Sequence, residues 1–113
     1  MTEITIYHNP HCSKSRQTLN LLREQGFEPT IVLYLETPPA VDTLRNIVRM
    51  LGAPLKDVVR TKETAFHPEM LEWSEDKLLA EMVKNPILIE RPIVVAGDKA
   101  RIGRPPESVL DIF

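Results

Sequence analysis

The sequence predicts an α/β domain of three layers, built on a small mixed four-stranded sheet with a helical insertion in the middle, approximately residues 37–88. Two observations predict this class. Strand-like and helix-like segments alternate at the start of the chain, and a strand hairpin followed by a short helix closes it. Because 113 residues without a linker or low-complexity tract fit one domain, we expect residues 1–113 to form a single domain.

The first third of the chain is typical of a strand, a helix and a second strand. The segment EITIYH (3–8) alternates apolar and polar residues, which predicts a strand. Apolar residues recur at helical spacing over 15–25, and Gly26 ends that helix. The apolar, β-branched run TIVLYL (30–35) predicts a strand buried on both faces. A strand–helix–strand order predicts that the two strands are parallel.

The middle of the chain is predicted to be helical. Residues 37–51 form a helix that opens with its prolines in the first turn and ends at Gly52. A short helix or turn follows over 54–60. A further helix over 74–84 begins at Ser74, which is a favourable N-cap residue.

The last part of the chain predicts a hairpin and a terminal helix. Apolar strands flank a turn at Gly97-Asp98 within residues 92–103. The tail PPESVLDIF then forms a short helix that opens with Pro105.

Composition excludes several classes of function. A net charge of −2 disfavours nucleic-acid binding, and no apolar run reaches the roughly 18 residues of a membrane span. One cysteine and three scattered histidines lack the paired spacing of a metal site, so we expect no metal. The single cysteine and the absence of a signal-peptide pattern predict a cytoplasmic protein, which we expect to be monomeric.

Cys12 is the candidate nucleophile, because it lies where the first strand ends and the first helix begins. Unpaired backbone N–H groups and the positive end of the helix dipole favour a thiolate there. Positive potential from Lys14, Arg16 and His8 is expected to add to this, and Ser15 is placed to donate a hydrogen bond to the sulfur. For His8, a structural role is an equal alternative on its spacing. The alternative is an inert core cysteine, which the polar neighbours of Cys12 disfavour.

Arginines are concentrated in the last quarter of the chain, at Arg91, Arg101 and Arg104. Together with the basic residues near Cys12, they form a local group of cations on a slightly acidic protein, which indicates a small anion as ligand. Each arginine also has an ordinary interpretation. Arg91 is placed to pair with Glu90 at the surface, and Arg104 to cap the preceding strand.

Three separate motifs resemble one family. The segment HNPHCSKSRQTLNLL resembles the active-site loop of the glutaredoxin-coupled arsenate reductase (ArsC) family, with Ser13-Lys14 in place of that family's Gly-Thr. IERPIVV and ARIGRPPE resemble its two later arginine–proline motifs, and Arg60 in KDVVR falls at the place of its other arginine. The likeness covers essentially the whole chain and is greatest for the short YfgD-like members.

The resemblance implies a thioredoxin-like fold and an oxidoreductase that reduces arsenate. It implies that Cys12 attacks the arsenic atom, while Arg60, Arg91 and Arg104 hold the oxyanion. The supporting residues that it implies are His8, Asn9, Ser15 and Arg16. It also implies a cis Arg91–Pro92 bond that directs residue 91 toward Cys12.

A single thiol cannot form a disulfide within the chain, so the second thiol must come from outside. The resemblance implies glutathione as co-substrate and glutaredoxin as partner, with no bound cofactor. Three other functions stay open. They are a non-enzymatic regulator resembling Spx, a glutaredoxin-like protein with one thiol, and a thiol reductase that acts on another oxyanion.

Overall fold

The structure, a computed structural model, describes residues 3–113 and contains two compact units. The first unit comprises the chain up to Thr37 together with Arg91–Phe113, and the second comprises Pro38–Glu90. That the chain is a single domain stays a prediction.

The first unit contains a four-stranded sheet with the strand order β2-β1-β3-β4. β1 pairs with β2 in parallel and with β3 in antiparallel orientation, and β3 pairs antiparallel with β4. The predicted mixed sheet is therefore confirmed. The strands are β1 (Ile4–Tyr7), β2 (Thr30–Val32), β3 (Ile93–Ala96) and β4 (Lys99–Ile102).

The prediction for the second strand is wrong in two respects. β2 ends at Val32 instead of residue 35, and it lies at the edge of the sheet, where Thr30 and Ile31 are exposed. A short apolar run matches a buried strand in composition, but composition does not determine which strands flank it. Leu33 and Leu35 continue the run as exposed residues beyond the strand.

Helix α1 (Ser13–Glu24) begins two residues before its predicted start and ends before Gly26, whose φ is +89°. Its apolar face packs on the sheet and on the C-terminal segment. The core of this unit consists of Ile4, Ile6, Leu19, Leu22, Val94, Ala96, Val109 and Ile112.

The hairpin prediction is confirmed, because Ala96 pairs with Lys99 across the turn at Gly97 and Asp98. The terminal helix is present as a 3-10 helix over Pro106–Ile112, so it opens one residue after Pro105. Phe113 follows it and stacks on Phe27, with the ring centroids 4.5 Å apart.

The second unit is helical. Its two α-helices, which pack against each other, are α2 (Val41–Leu51) and α3 (Glu75–Lys84). Short 3-10 helices lie at Leu55–Asp57, Pro68–Glu72 and Pro86–Leu88.

The predicted ends of these helices are confirmed except at the start of α2. Ser74 caps α3 by accepting a hydrogen bond from the Lys77 N–H at 3.2 Å, and Gly52 ends α2 with a φ of +69°. α2 begins at Val41, after its prolines, so the predicted start within the prolines is wrong. A residue that precedes a proline disfavours the helical conformation, which explains the later start.

Across residues 3–113, no helix has both the length and the apolar character that crossing a membrane requires.

Candidate active site

Cys12 is the N-cap residue of α1. Its backbone is extended, with φ −97° and ψ 122°, and its carbonyl accepts the first helical hydrogen bond, from the Arg16 N–H at 3.0 Å. The Cys12 N–H donates to the Asn9 carbonyl at 3.0 Å, and the Asn9 Oδ1 accepts from the His11 N–H at 3.0 Å. The sulfur, which is partly exposed, therefore lies at the positive end of the α1 dipole.

Three buried polar residues hold the loop between β1 and α1. The Ser15 hydroxyl is hydrogen-bonded to His8 Nδ1 at 2.6 Å and accepts from the Asn9 N–H at 3.0 Å. All three residues are at most 6% exposed. Buried polar groups are stable when they are hydrogen-bonded, so this set keeps the loop in one conformation.

This arrangement corrects the sequence-based expectation for Ser15. Its hydroxyl bonds to His8 and Asn9, and in the described structure no hydrogen bond joins it to the Cys12 sulfur. Ser15 contributes to the position of Cys12 through the loop backbone, because Asn9 bonds to both residues.

The expectation that His8 adds positive charge is also corrected. Burial lowers the pKa of His8 below its ordinary value of 6.5, and the positive charges of Arg23 and Arg16 lower that pKa further. His8 is therefore neutral at pH 7 and serves the loop as a hydrogen-bonding group.

Arg16 contacts the loop as the resemblance implies. Its Nη1 donates to the Pro10 carbonyl at 2.8 Å. This contact fixes the loop on the side that precedes Cys12 in the chain.

Arg104 is the cation that contacts the sulfur. Its Nη2 lies 3.7 Å from Cys12 Sγ, although the two residues are 92 positions apart in the chain. Its Nε donates to the Arg91 carbonyl at 2.8 Å, which orients the guanidinium plane. This contact places a planar group of N–H donors directly beside the sulfur.

The prediction of a cis Arg91–Pro92 bond is confirmed. Arg104–Pro105 is also cis, for which the sequence contained no recognised signal. The backbone of Arg91 joins the site through the hydrogen bond from Arg104. That the Arg91 side chain binds the oxyanion stays a prediction.

Gly103 and Thr18 were not predicted to matter for the site. A Cβ at Gly103 would overlap Thr18 Oγ1 and would lie 2.8 Å from Pro92 Cγ. Thr18 is itself fully buried, and its hydroxyl donates to the Lys14 carbonyl at 2.8 Å. Glycine is therefore required here for close approach, which brings the next residue, Arg104, over the start of α1. The available signal was the position of this glycine directly before Arg-Pro-Pro.

Arg60 lies in the second unit, where its backbone N–H donates to the Leu88 carbonyl at 2.7 Å. Its Nε is 3.3 Å from Glu63 Oε1 and 4.0 Å from Glu90 Oε1. Its Nη1 is buried and has no hydrogen-bond partner among the described residues. That Arg60 contributes to the Cys12 site stays a prediction.

No metal site is evident in the described part of the chain. Among residues 3–113, no three His, Cys, Asp or Glu side chains are grouped in a way that could hold a metal ion.

Comparison with known proteins identifies the family. Residues 7–112 match the model of the ArsC family. The chain belongs to the ArsC family. The uncharacterized protein YfgD of Escherichia coli (strain K12) is similar to it, with 54% identity over 97% of this chain and 96% of its own length. A relative from Haemophilus influenzae, named arsenate reductase, is 46% identical over 97% of this chain and 98% of its own length.

A solved structure supports the fold assignment. The arsenate reductase from Vibrio cholerae superposes with a TM-score of 0.94 at 46% identity, covering 99% of this chain and 98% of that protein. The predicted thioredoxin-like α/β fold of the ArsC family is therefore confirmed.

Proposed function

We propose that this protein is an arsenate reductase that uses glutathione and glutaredoxin as its source of electrons. The observation that carries the proposal is the 3.7 Å contact between Arg104 Nη2 and Cys12 Sγ at the N-terminus of α1. The relatives from Haemophilus influenzae and Vibrio cholerae that bear the name arsenate reductase support the same substrate.

The site suits an attack on a tetrahedral oxyanion. Arsenate is negatively charged at pH 7, so an anionic sulfur approaches it only if nearby cations neutralise the repulsion. Arg104 and the backbone N–H groups at the start of α1 supply positive potential beside Cys12. Arg91 and Arg60 are proposed to add guanidinium groups, whose planar forks match pairs of arsenate oxygens.

In the first proposed step, the Cys12 thiolate attacks the As(V) atom. A sulfur–arsenic bond forms, an arsenic–oxygen bond breaks, and the oxygen leaves as water after protonation. In the second step, an external thiolate attacks the Cys12 sulfur and the sulfur–arsenic bond breaks. Its electron pair stays on arsenic, which leaves as arsenite in the As(III) state.

The second step leaves Cys12 in a mixed disulfide with the donor. A further donor thiol attacks that disulfide and releases Cys12 as a thiol. In total, one arsenate and two thiols become one arsenite, one disulfide and one water. The chain has one cysteine, so both of these thiols are external. This accounts for the dependence on glutathione and glutaredoxin.

Coupled turnover tests the proposal. Purified protein is supplied with arsenate, glutathione, glutaredoxin and an NADPH-dependent glutathione reductase, and NADPH consumption is followed. Cys12→Ser is expected to reduce the rate at least about a thousandfold, because the nucleophile is lost. Ser13→Ala is the matched control at the neighbouring, exposed position and should retain activity. Wild-type turnover no faster than that of Cys12→Ser would contradict the assignment.

A further inference from the structure

The proposed function requires an external thiol to reach Cys12, because the chain holds no other cysteine. The inference below rests on that function and concerns where the donor docks. In the first unit, exposed apolar residues lie next to the Cys12 loop.

Exposed apolar residues are concentrated beside this loop. Among the described residues, the large exposed hydrophobic side chains are Ile31, Leu33, Leu35, Leu71 and Phe113. Three of these five lie within residues 31–35, where Leu33 and Leu35 are each 37% exposed and flank the buried Tyr34. Grouped apolar exposure of this kind is typical of an interaction site.

The topology brings this segment to the Cys12 loop. β1 and β2 are parallel, so the loop that follows β1 and the residues that follow β2 emerge at the same edge of the sheet. The His8 N–H donates to the Val32 carbonyl at 2.9 Å, which joins the two segments directly. A cavity of about 160 Å³ lies between them, lined by His8, Asn9, Pro10, His11, Leu33, Leu35 and Glu36.

We define the donor surface as Pro10, His11, Leu33 and Leu35. Pro10 and His11 are exposed and directly precede Cys12 in the chain. The surface is therefore continuous with the loop that carries the reactive sulfur. Another cavity, of about 610 Å³, is lined by residues of the second unit between Arg45 and Leu78 and contains no cysteine.

The chemistry of the surface distinguishes between two kinds of donor. Glutathione is small, charged and polar, so contact with two leucines adds little to its binding affinity. A protein donor covers them on docking, because even a small transient redox interface of less than about 1,200 Å² removes apolar side chains at its centre from water. Apolar exposure next to a reactive sulfur therefore favours a protein.

We propose that the donor surface docks a thiol-bearing protein whose own thiol is surrounded by apolar residues. In the docked complex, the partner's thiolate attacks the mixed disulfide on Cys12. The sulfur–sulfur bond to Cys12 breaks, Cys12 leaves as a thiolate, and the partner takes over the disulfide bond. A second thiol of the partner then attacks this new disulfide and releases the first donor as a thiol. The partner is thereby oxidised by two electrons to a disulfide, while Cys12 and the first donor are both returned to the thiol state.

The test isolates this exchange from arsenate chemistry. Cys12 is converted to its mixed disulfide with thionitrobenzoate, and release of the coloured thiol is followed with glutathione alone or with a dithiol glutaredoxin. The variant is the double substitution Leu33→Ser/Leu35→Ser, with Leu35→Ser alone as a milder second variant. Leu71→Ser is the matched control, since Leu71 is 46% exposed in the second unit.

The double variant is expected to react about tenfold more slowly with glutaredoxin, and Leu35→Ser about threefold more slowly, since losing a central contact costs about a factor of ten in affinity. The glutathione rate should stay within about twofold of wild type, and Leu71→Ser should match wild type with both donors. Equal slowing with both donors would overturn the proposal, because the change would then lie in the reactivity of Cys12. No slowing with glutaredoxin would overturn it as well.

The two proposals fail separately. If wild type does not reduce arsenate but the donors still differ, the docking surface stands and the arsenate assignment falls. If arsenate is turned over but the leucine variants react like wild type with glutaredoxin, the docking surface falls alone.

Discussion

The two compact units differ in what they bury. The buried polar residues found among residues 3–113 are His8, Asn9, Ser15 and Thr18, and all four belong to the first unit. The second unit buries apolar residues of α2 and α3, and its ion pairs include Arg45 with Asp76 at 2.7 Å near the surface and the more buried Arg60 with Glu63 at 3.3 Å.

This difference indicates which unit is organised for chemistry. A helical unit needs only an apolar face on each helix in order to pack. Buried polar groups are costly unless each is hydrogen-bonded, so they persist where a particular loop conformation is required. In the first unit they surround the loop that carries Cys12. Four substitutions test this division, and they are ordered below by expected effect.

Arg104→Ala should have the largest effect, lowering kcat/KM for arsenate about a hundredfold or more. The variant loses the charge 3.7 Å from Cys12 Sγ, and preorganised cations of this kind contribute at about that level. Arg101→Ala is the matched control, because the Arg101 guanidinium donates to the carbonyl of its own neighbour, Ala100. Similar losses in the two variants, measured by steady-state kinetics, would show that the effect is general to positive charge in this part of the chain.

Arg60→Lys tests whether the second unit also takes part in the chemistry, since Arg60 belongs to that unit. Lysine keeps the charge near Glu63 and Glu90 but loses the planar fork that matches an oxyanion. If Arg60 binds arsenate, KM for arsenate should rise about tenfold. Arg45→Lys, at an arginine ion-paired in the same unit, should leave KM unchanged. An unchanged KM in Arg60→Lys would assign Arg60 a structural role alone.

Gly103→Ala should lower the free energy of unfolding by about 1–3 kcal/mol, because its Cβ has no room beside Thr18 and Pro92. The substitution should also slow alkylation of Cys12 by iodoacetamide. A shift of the backbone at residue 103 moves the next residue, Arg104, whose guanidinium contacts the Cys12 sulfur. In the second unit, Gly52→Ala has open space but a φ of +69°, and should cost about 1 kcal/mol. Urea denaturation measures both changes. Cys12 reactivity that is reduced equally in the two variants would contradict the positioning role of Gly103.

The smallest expected effect is the pH dependence of stability that His8 confers. The pKa of His8 is below 6.5 in the folded protein, because of burial and then the charges of Arg23 and Arg16. As the pH falls below 6.5, the unfolded chain binds this proton first, so the contribution to stability is lost as pH falls toward the folded-state pKa. This contribution to stability is fully present at pH values above the pKa of His8 in the unfolded chain.

His8→Asn removes this titration and keeps a polar group near Ser15. Between about pH 7.5 and about pH 5.5, the wild type should therefore lose more unfolding free energy than the variant. Urea denaturation at the two pH values measures this difference. Parallel losses in both proteins would show that His8 is not the responsible group.

Sequence by itself determined the features that depend on neighbouring residues. The order of the elements, the hairpin at Gly97, the capping of α3 by Ser74 and the position of Cys12 at a helix start all follow from local signals. Each is specified within a few residues, by periodicity, turn chemistry or capping. The predicted cis bond before Pro92 came instead from the family resemblance.

Tertiary structure decided the features that depend on which distant segments meet. Ser15 was expected to contact the sulfur and bonds to His8 and Asn9, and β2 was expected to be buried and lies at the edge of the sheet. The contact of Arg104 with Cys12 spans 92 positions and depends on the absence of a side chain at Gly103. Hydrogen-bond partners and burial are properties of the packed chain, where a few tenths of an ångström select one partner over another, and residue spacing along the sequence does not contain that information.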